Sequence, residues 1–307
     1  MMYRTACPYL LVVLSFTVVA CRDTRHNGED SARSSLPPVY PSGPSGNNNW
    51  DADAGPVMIV STNSGGDSAA VVMPDQTDST IADVQGISPP VAGIAFDLFG
   101  RAGRVASAVN ASPLPSRKAR RDCYSWPLAK LSSPHASWQV GFASGHAYEI
   151  RLDSIEGMSS TDSAALAAAI AQTAATLPAA SAPTFRGLPF RVRSAYTFRL
   201  DSVEAVVADV VRSVNEEANP RLEHLLIVGE RPASSRGKYD VGYFHRSAGA
   251  EESTEATEIL AVVRIGSAKR PAVVINIEYD DGGKLGLIER SGPAQWGSTW
   301  RSAYTDC

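Results

Sequence analysis

Five histidines carry the most versatile side-chain chemistry in this 307-residue chain: His26, His135, His146, His224 and His245. Zinc ligands supplied by one helix or strand show HxxxH or HxH spacing, and no pair here does. No metal site is therefore expected. No cofactor is expected either, because Gly100-Arg101-Ala102-Gly103 has neither the GxGxxG nor the GxxxxGK spacing that cradles phosphates. Two serines lie close to nucleophile motifs. Gly141-Phe142-Ala143-Ser144-Gly145 is one residue out of register for the Gly-x-Ser-x-Gly elbow, and it reads strand-turn-strand where the elbow needs strand-turn-helix. Ser235-Arg236-Gly237-Lys238 spells SxxK, but in a loop beside Pro232 instead of at a helix start. Asp51-Ala52-Asp53 begins like a calcium loop and lacks the later oxygen ligands. The pairs Glu216-Glu217, Glu251-Glu252 and Asp280-Asp281 read as solvated charge at element ends and turns.

The N-terminal segment has chemistry of its own. Arg4 is its only charge, ahead of an uncharged, mostly apolar run from Thr5 to Ala20 that is too short to span a bilayer. The run closes on Val18-Val19-Ala20-Cys21. That order resembles the lipobox of bacterial lipoproteins, with Val18 where Leu is commoner. The resemblance covers residues 1–21 only. It implies a signal peptide cut before Cys21, a diacylglycerol on the Cys21 sulfur and a palmitate-type acyl chain on the new amino group. Each buried methylene contributes about 0.8 kcal/mol, so several chains anchor the protein without any other contact to the membrane. In enteric lipoproteins Asp after the lipidated Cys favours inner-membrane retention. Arg22 stands there, so the resemblance points to the outer membrane ahead of the inner.

On this reading Cys7 leaves with the signal and Cys21 carries lipid, so Cys123 and Cys307 survive in an oxidising envelope. We read them as one disulfide, with two free thiols as the alternative. A bridge closing so long a loop stabilises by at most ~5 kcal/mol on the loop-entropy model. Tyr124 and Trp126 follow the first Cys, and Trp296, Trp300 and Tyr304 precede the second. A bridge would gather these rings. They then form either a core seam or a pocket in which Trp126, Trp296, Trp300 and Tyr304 bind a sugar or a hydrophobic ligand.

The net charge of −4 becomes −5 once Arg4 departs with the signal, and such weak acidity excludes a nucleic-acid partner, which needs a basic stripe. A hydrophobic share of 44% and a charged share of 20% are ordinary for a globular chain.

Turning to the elements that must position these groups, residues 21–55 read as a lipidated N-terminus and a Pro/Ser/Gly/Asn-rich tether with a reach of roughly 30 Å. Residues 56–155 read as β-rich. Hairpin turns are expected at Asn63–Asp67, Gly100–Gly103 and Ala143–His146, each between short strand-like runs. Residues 156–307 read as α+β, either a second domain or one domain with 56–155. Helices are expected at Ser160–Leu177 and at Asp201–Ala218. In the second, six valines recur at helical spacing behind an Asp201-x-x-Glu204 capping pattern, although the same letters can be threaded as a strand. A meander is expected from Leu222 to Tyr304, with Asp280-Asp281-Gly282-Gly283 its sharpest turn. Ala147–Glu156 echoes Ala195–Glu204, each ahead of an expected helix.

The expected fold class is therefore α+β and β-dominated: antiparallel strands with a barrel- or sandwich-like N-terminal half, two central helices and a C-terminal antiparallel meander. The expected role is a cell-envelope lipoprotein acting as a non-enzymatic ligand-binding, protein-binding or assembly module. The membrane is its partner through Cys21, alongside an envelope protein or small ligand. The alternative is a periplasmic or surface hydrolase whose catalytic residues are dispersed along the chain.

Overall fold

Short apolar runs separated by tight turns leave no room for crossovers, and every strand pair among the described residues is antiparallel. The computed structural model describes residues 50–78, 88–115, 125–178, 183–214, 219–279 and 282–305. They belong to a single compact unit spanning Gly43–Cys307. No helix among the described residues is long and apolar enough to cross a membrane.

The first layer is a closed barrel. Its strands are β1 (Met58–Ser61), β2 (Ser68–Val72), β3 (Ala95–Gly100), β4 (Gly103–Pro113), β5 (Leu128–Leu131) and β6 (Val140–Ala143), in the order β1-β2-β5-β4-β3-β6. Period-two alternation sorts its side chains. Val57, Ile59, Val71, Phe96 and Leu98 fill the interior, while Met58, Val72, Phe99, Val140 and Phe142 face outward onto the next layer. The interior has no slack at Gly141. A Cβ there would lie 2.6 Å from Ile59 Cγ1 and 2.9 Å from Leu98 Cδ2, so only glycine fits.

The second layer, the middle sheet, runs β16-β15-β14-β13-β7. It comprises β7 (Ala147–Ile150), β13 (Ala256–Ile265), β14 (Arg270–Tyr279), β15 (Gly282–Gly292) and β16 (Gln295–Arg301). Val263, Ala272, Val274, Leu287 and Trp300 pack against the barrel, and Val262, Val273, Ile275, Ile288 and Trp296 pack the opposite way. They meet the third layer, the outer sheet, ordered β12-β11-β10-β9-β8: β8 (Asp153–Ser154), β9 (Arg191–Leu200), β10 (Val203–Val214), β11 (Arg221–Pro232) and β12 (Asp240–Ala250). The far face of the outer sheet, through Val206, Ala208, Val210, Leu225 and Ile227, is covered by helix α1 (Ser160–Thr176). Ser159 caps that helix, accepting the Asp162 N–H at 3.2 Å and donating to its carboxylate at 2.7 Å.

The fold is thus α+β and β-dominated with a barrel-like N-terminal half, as expected, but four local expectations are corrected. The second expected helix is strand β10: Asp201, in the left-handed region at φ +51°, and Ser202 form the turn that pairs Leu200 with Val203. Its capping pattern is a hairpin tip. Because β10 is covered by the middle sheet on one face and by α1 on the other, every position from Ala205 to Val210 is buried. Apolar periodicity then carries no information, and β-branched stiffness favours the strand. The echo of Ala147–Glu156 in Ala195–Glu204 accordingly precedes a helix once and a strand once.

The third expected hairpin is a corner. β6 pairs with β1 and β3 inside the barrel, while β7 pairs with β13, so Ser144–His146 carries the chain from one layer to the next. The C-terminal meander is likewise split, with β11 and β12 in the outer sheet and β13–β16 in the middle one. The segment assigned to the tether is ordered from Trp50 onward. The Trp50 ring lies 4.9 Å edge-on to Trp300, its indole N–H donates to Gly55 O at 2.6 Å, and Asp51 pairs with Arg270.

Candidate functional site

A concavity of about 1040 Å³ opens between the barrel and the middle sheet. The strands that build it are held apart by their own packing: the barrel's outer face and β13–β15 share one apolar cluster, and the cleft begins where that cluster ends. Val60, Ala70, Val72, Leu260, Leu285 and Trp126 form its apolar floor. Hydroxyls and amides supply its rim, chiefly Asn63, Ser64, Ser137, Asn276 and Ser302.

Its charges come in both signs, Arg101 and Lys284 against Glu258 and Glu278. Arg101, in the β3–β4 turn, crosses from barrel to sheet: its Nε donates to Ile259 O at 2.8 Å and its Nη2 meets Glu258 Oε1 at 2.6 Å. The pair is over one-third exposed, with side-chain accessibilities of 37% and 39%, so it orders the wall more than it stabilises the fold. Lys284 Nζ holds Asp78 Oδ2 at 2.7 Å. Burial pushes the Asp78 carboxyl up, but Lys284 and the Tyr304 N–H outweigh it and leave the pKa below the ordinary Asp range.

One wall group stands out. Gln139 lines the cleft with its backbone fully engaged: its N–H donates to Phe99 O at 2.8 Å and its carbonyl accepts the Ser61 N–H at 3.0 Å. The side-chain carbonyl Oε1 is buried and has no hydrogen-bond partner among the described residues. A buried amide oxygen without a donor is disfavoured by about 1–3 kcal/mol, and such groups in native folds call for an explanation.

Of the sequence-predicted aromatic residues that are described, only Trp126 lines this cleft, and Tyr124 lies outside the described residues. Trp300 is fully buried in the barrel-facing cluster, its indole N–H on Pro74 O at 3.0 Å. Trp296 lies on the opposite face of the middle sheet, edge-on to Phe198 at 6.1 Å, with its indole N–H on Glu230 Oε1 at 2.7 Å. Four residues apart on one strand, the two rings should share a face. A bulge at Thr299, where Ser298 pairs with Ile288 and Trp300 with Leu287, reverses the parity. Tyr304 donates its hydroxyl to Tyr279 O at 3.1 Å. The expected four-ring pocket is therefore not assembled. Cys21, Cys123 and Cys307 lie outside the described residues.

Two histidines do find carboxylates. His245 Nε2 sits 2.7 Å from Glu255, whose carboxyl is held below the ordinary Glu range chiefly by that hydrogen bond. His224 Nδ1 lies 3.3 Å from both oxygens of the fully buried Asp209, which also accepts from Arg193 Nη1 at 3.0 Å. Ser247 is directly opposite His224 on β12, but its Oγ accepts the Glu255 N–H at 2.9 Å. Among the described residues no Ser or Thr hydroxyl hydrogen-bonds either imidazole, and no group of three or more His, Cys, Asp or Glu could hold a metal. Residues fifteen apart in sequence, Asp209 and His224 meet because β10 and β11 form a hairpin, which spacing rules built for single elements do not detect. Ser235–Lys238 lies in the β11–β12 loop and Ser144 in the corner after β6, so neither occupies the strand-to-helix or helix-start setting its motif requires.

Comparison of the chain with protein-family models, with curated proteins and with solved structures finds no significant match.

Proposed function

We propose that this is a lipid-anchored envelope protein whose folded part binds a neutral, hydrogen-bonding ligand in the cleft between the barrel and the middle sheet. A saccharide is the class the lining fits best. The observation that carries this reading is the Gln139 side chain in the wall of that cleft, whose buried carbonyl finds no hydrogen-bond donor among the described residues. The remaining chemistry agrees. An apolar floor with convergent amides and hydroxyls is the usual composition of a small-molecule site. Arg101, Lys284, Glu258 and Glu278 cancel in charge, which favours a neutral ligand over an ionic one.

Titration of a panel of neutral oligosaccharides into the purified chain, followed by calorimetry, tests the proposal. Saturable binding is expected, weakened at least tenfold by Gln139→Leu, since one lost hydrogen bond in a dry site is worth about 1.4 kcal/mol. If no sugar in the panel binds, or if binding ignores Gln139→Leu and Asn276→Ala, the cleft is not the site.

The His224–Asp209 pair supports a second reading, a hydrolase. Under that reading the chain hydrolyses a member of an ester, amide or glycoside panel and loses that activity in His224→Ala. A wild-type chain inert on all three panels removes it.

A further inference from the structure

A separate cavity of about 560 Å³ lies on the other side of the outer sheet, between α1 and the strand faces that carry Arg212 and Arg246. Its lining is largely aliphatic and aromatic, with Leu177, Leu188 and Phe190 among it, yet among the described residues it contains Arg186, Arg212 and Arg246 and no carboxylate. Among the described residues the carboxylate that pairs with Arg212 and Arg246 is Glu223, which is fully buried. Glu223 stands opposite Arg212 in the β10–β11 register and takes both Nε and Nη2 of that residue on Oε2, at 2.9 and 2.8 Å. Its other oxygen meets Nη1 of Arg246. One carboxylate therefore serves two guanidinium groups that are only 10% and 14% exposed, and a third, Arg186, forms no ion pair among the described residues.

The excess positive charge is not hidden by the remaining contacts. Arg212 gives Nη1 to Leu188 O at 3.3 Å and Arg246 gives Nη2 to Pro178 O at 2.8 Å, and the Phe190 ring lies 4.5 Å from the Arg212 guanidinium. A guanidinium has five N–H donors, so each arginine keeps donors to spare. Burial lowers the pKa of both arginines, and the charge of Arg212 adds to the effect on Arg246. A structural ion pair needs one cation per anion. A cavity that gathers three guanidinium groups around one buried carboxylate, inside apolar walls, is complementary to a second anion carrying an apolar chain.

We infer that this cavity binds an anionic amphiphile, a carboxylate or phosphate headgroup held by Arg186, Arg212 and Arg246 with its hydrocarbon against Leu177, Leu188 and Phe190. Nothing here depends on the barrel cleft, which is lined by different strands. The test is calorimetric titration of the full chain carrying Cys21→Ser with sodium decanoate below its micellar concentration, with decanol and inorganic phosphate as parallel arms. Decanoate is expected to saturate one site, to bind at least tenfold more tightly than decanol or phosphate, and to weaken as salt rises. Arg186→Gln, at an exposed position whose side chain makes no hydrogen bond or ion pair among the described residues, is expected to reduce decanoate affinity about fivefold or more without shifting the denaturation midpoint. Arg246→Gln should reduce it further. Equal binding of decanol, equal binding of phosphate, no saturation, or unchanged affinity in Arg186→Gln each overturns the assignment.

Discussion

Glu230→Gln tests what holds the two large sheets together. Glu230 belongs to β11 in the outer sheet and is 3% exposed, yet every hydrogen bond its carboxylate receives comes from the middle sheet or the turn before β16. Arg290 donates from Nε at 2.6 Å and from Nη2 at 2.8 Å, the Ala294 N–H at 3.1 Å and the Trp296 indole N–H at 2.7 Å. A hydrogen bond to a charged group contributes about 1.5–3 kcal/mol, but four on one carboxylate do not add. The cost is better taken from the ion left behind, about 3–5 kcal/mol when a buried pair loses one partner. Arg290 retains 21% exposure and partly rehydrates, and glutamine keeps one acceptor, so we expect a loss of about 2–4 kcal/mol. In urea that is a lower midpoint at unchanged slope, and on heating a Tm lower by about 4–16 °C. Acid adds a second signature. Burial pushes the Glu230 pKa up, but Arg290, the Ala294 N–H and Trp296 outweigh it and leave the pKa below the ordinary value. A depressed carboxylate stabilises fully above its unfolded pKa of about 4.3 and loses that contribution as pH falls through the folded value. The gap between wild type and variant should therefore be constant from pH 6 to 7 and close below about pH 4. A gap under about 1 kcal/mol at neutral pH, or one that persists in acid, would refute the reasoning.

Three further outcomes are expected. Gly141→Ala places a methyl within 2.6 Å of Ile59 Cγ1 and should destabilise by about 1–3 kcal/mol in urea unfolding, with part recovered when Ile59→Val is added; no recovery would mean that the barrel interior is not the cause. Cys21→Ser should abolish labelling by a fatty-acid probe and release the protein from membranes, and retention in the membrane fraction would exclude the lipid anchor. Non-reducing peptide mapping should recover a Cys123–Cys307 linked peptide that disappears on reduction, whereas both thiols alkylated without reductant would show them free.

Much of the architecture was legible from short-range signals. Asn63–Asp67 and Gly100–Gly103 turn their hairpins as expected, and α1 starts beside its capping serine and ends at Pro178, because turn chemistry and helix caps act within a few residues. The candidate cleft was much less legible. Trp126 was identified as a binding candidate, but Gln139, Arg101 and Asn276 have no motif, since a cleft wall is assembled from one residue each of strands and turns far apart in sequence. An unsatisfied amide oxygen, the most informative group in that wall, is visible only once its surroundings exist.

What the sequence determined alone is therefore local: the β-dominated class, most turns, the capped helix and the expectation of a lipid anchor at Cys21. The tertiary structure decided everything that depends on which face a residue presents. It turned the valine run Val203–Val214 into a central strand, because burial on both faces erases the periodicity that separates helix from strand. It put Trp296 and Trp300 on opposite sides of one sheet through a single bulged residue, because strand parity reverses with each inserted residue. It also sent β6 and β7 to different layers, because a turn sequence specifies a change of direction but not which neighbour completes the hydrogen bonding; that choice is made by the apolar faces left to be covered.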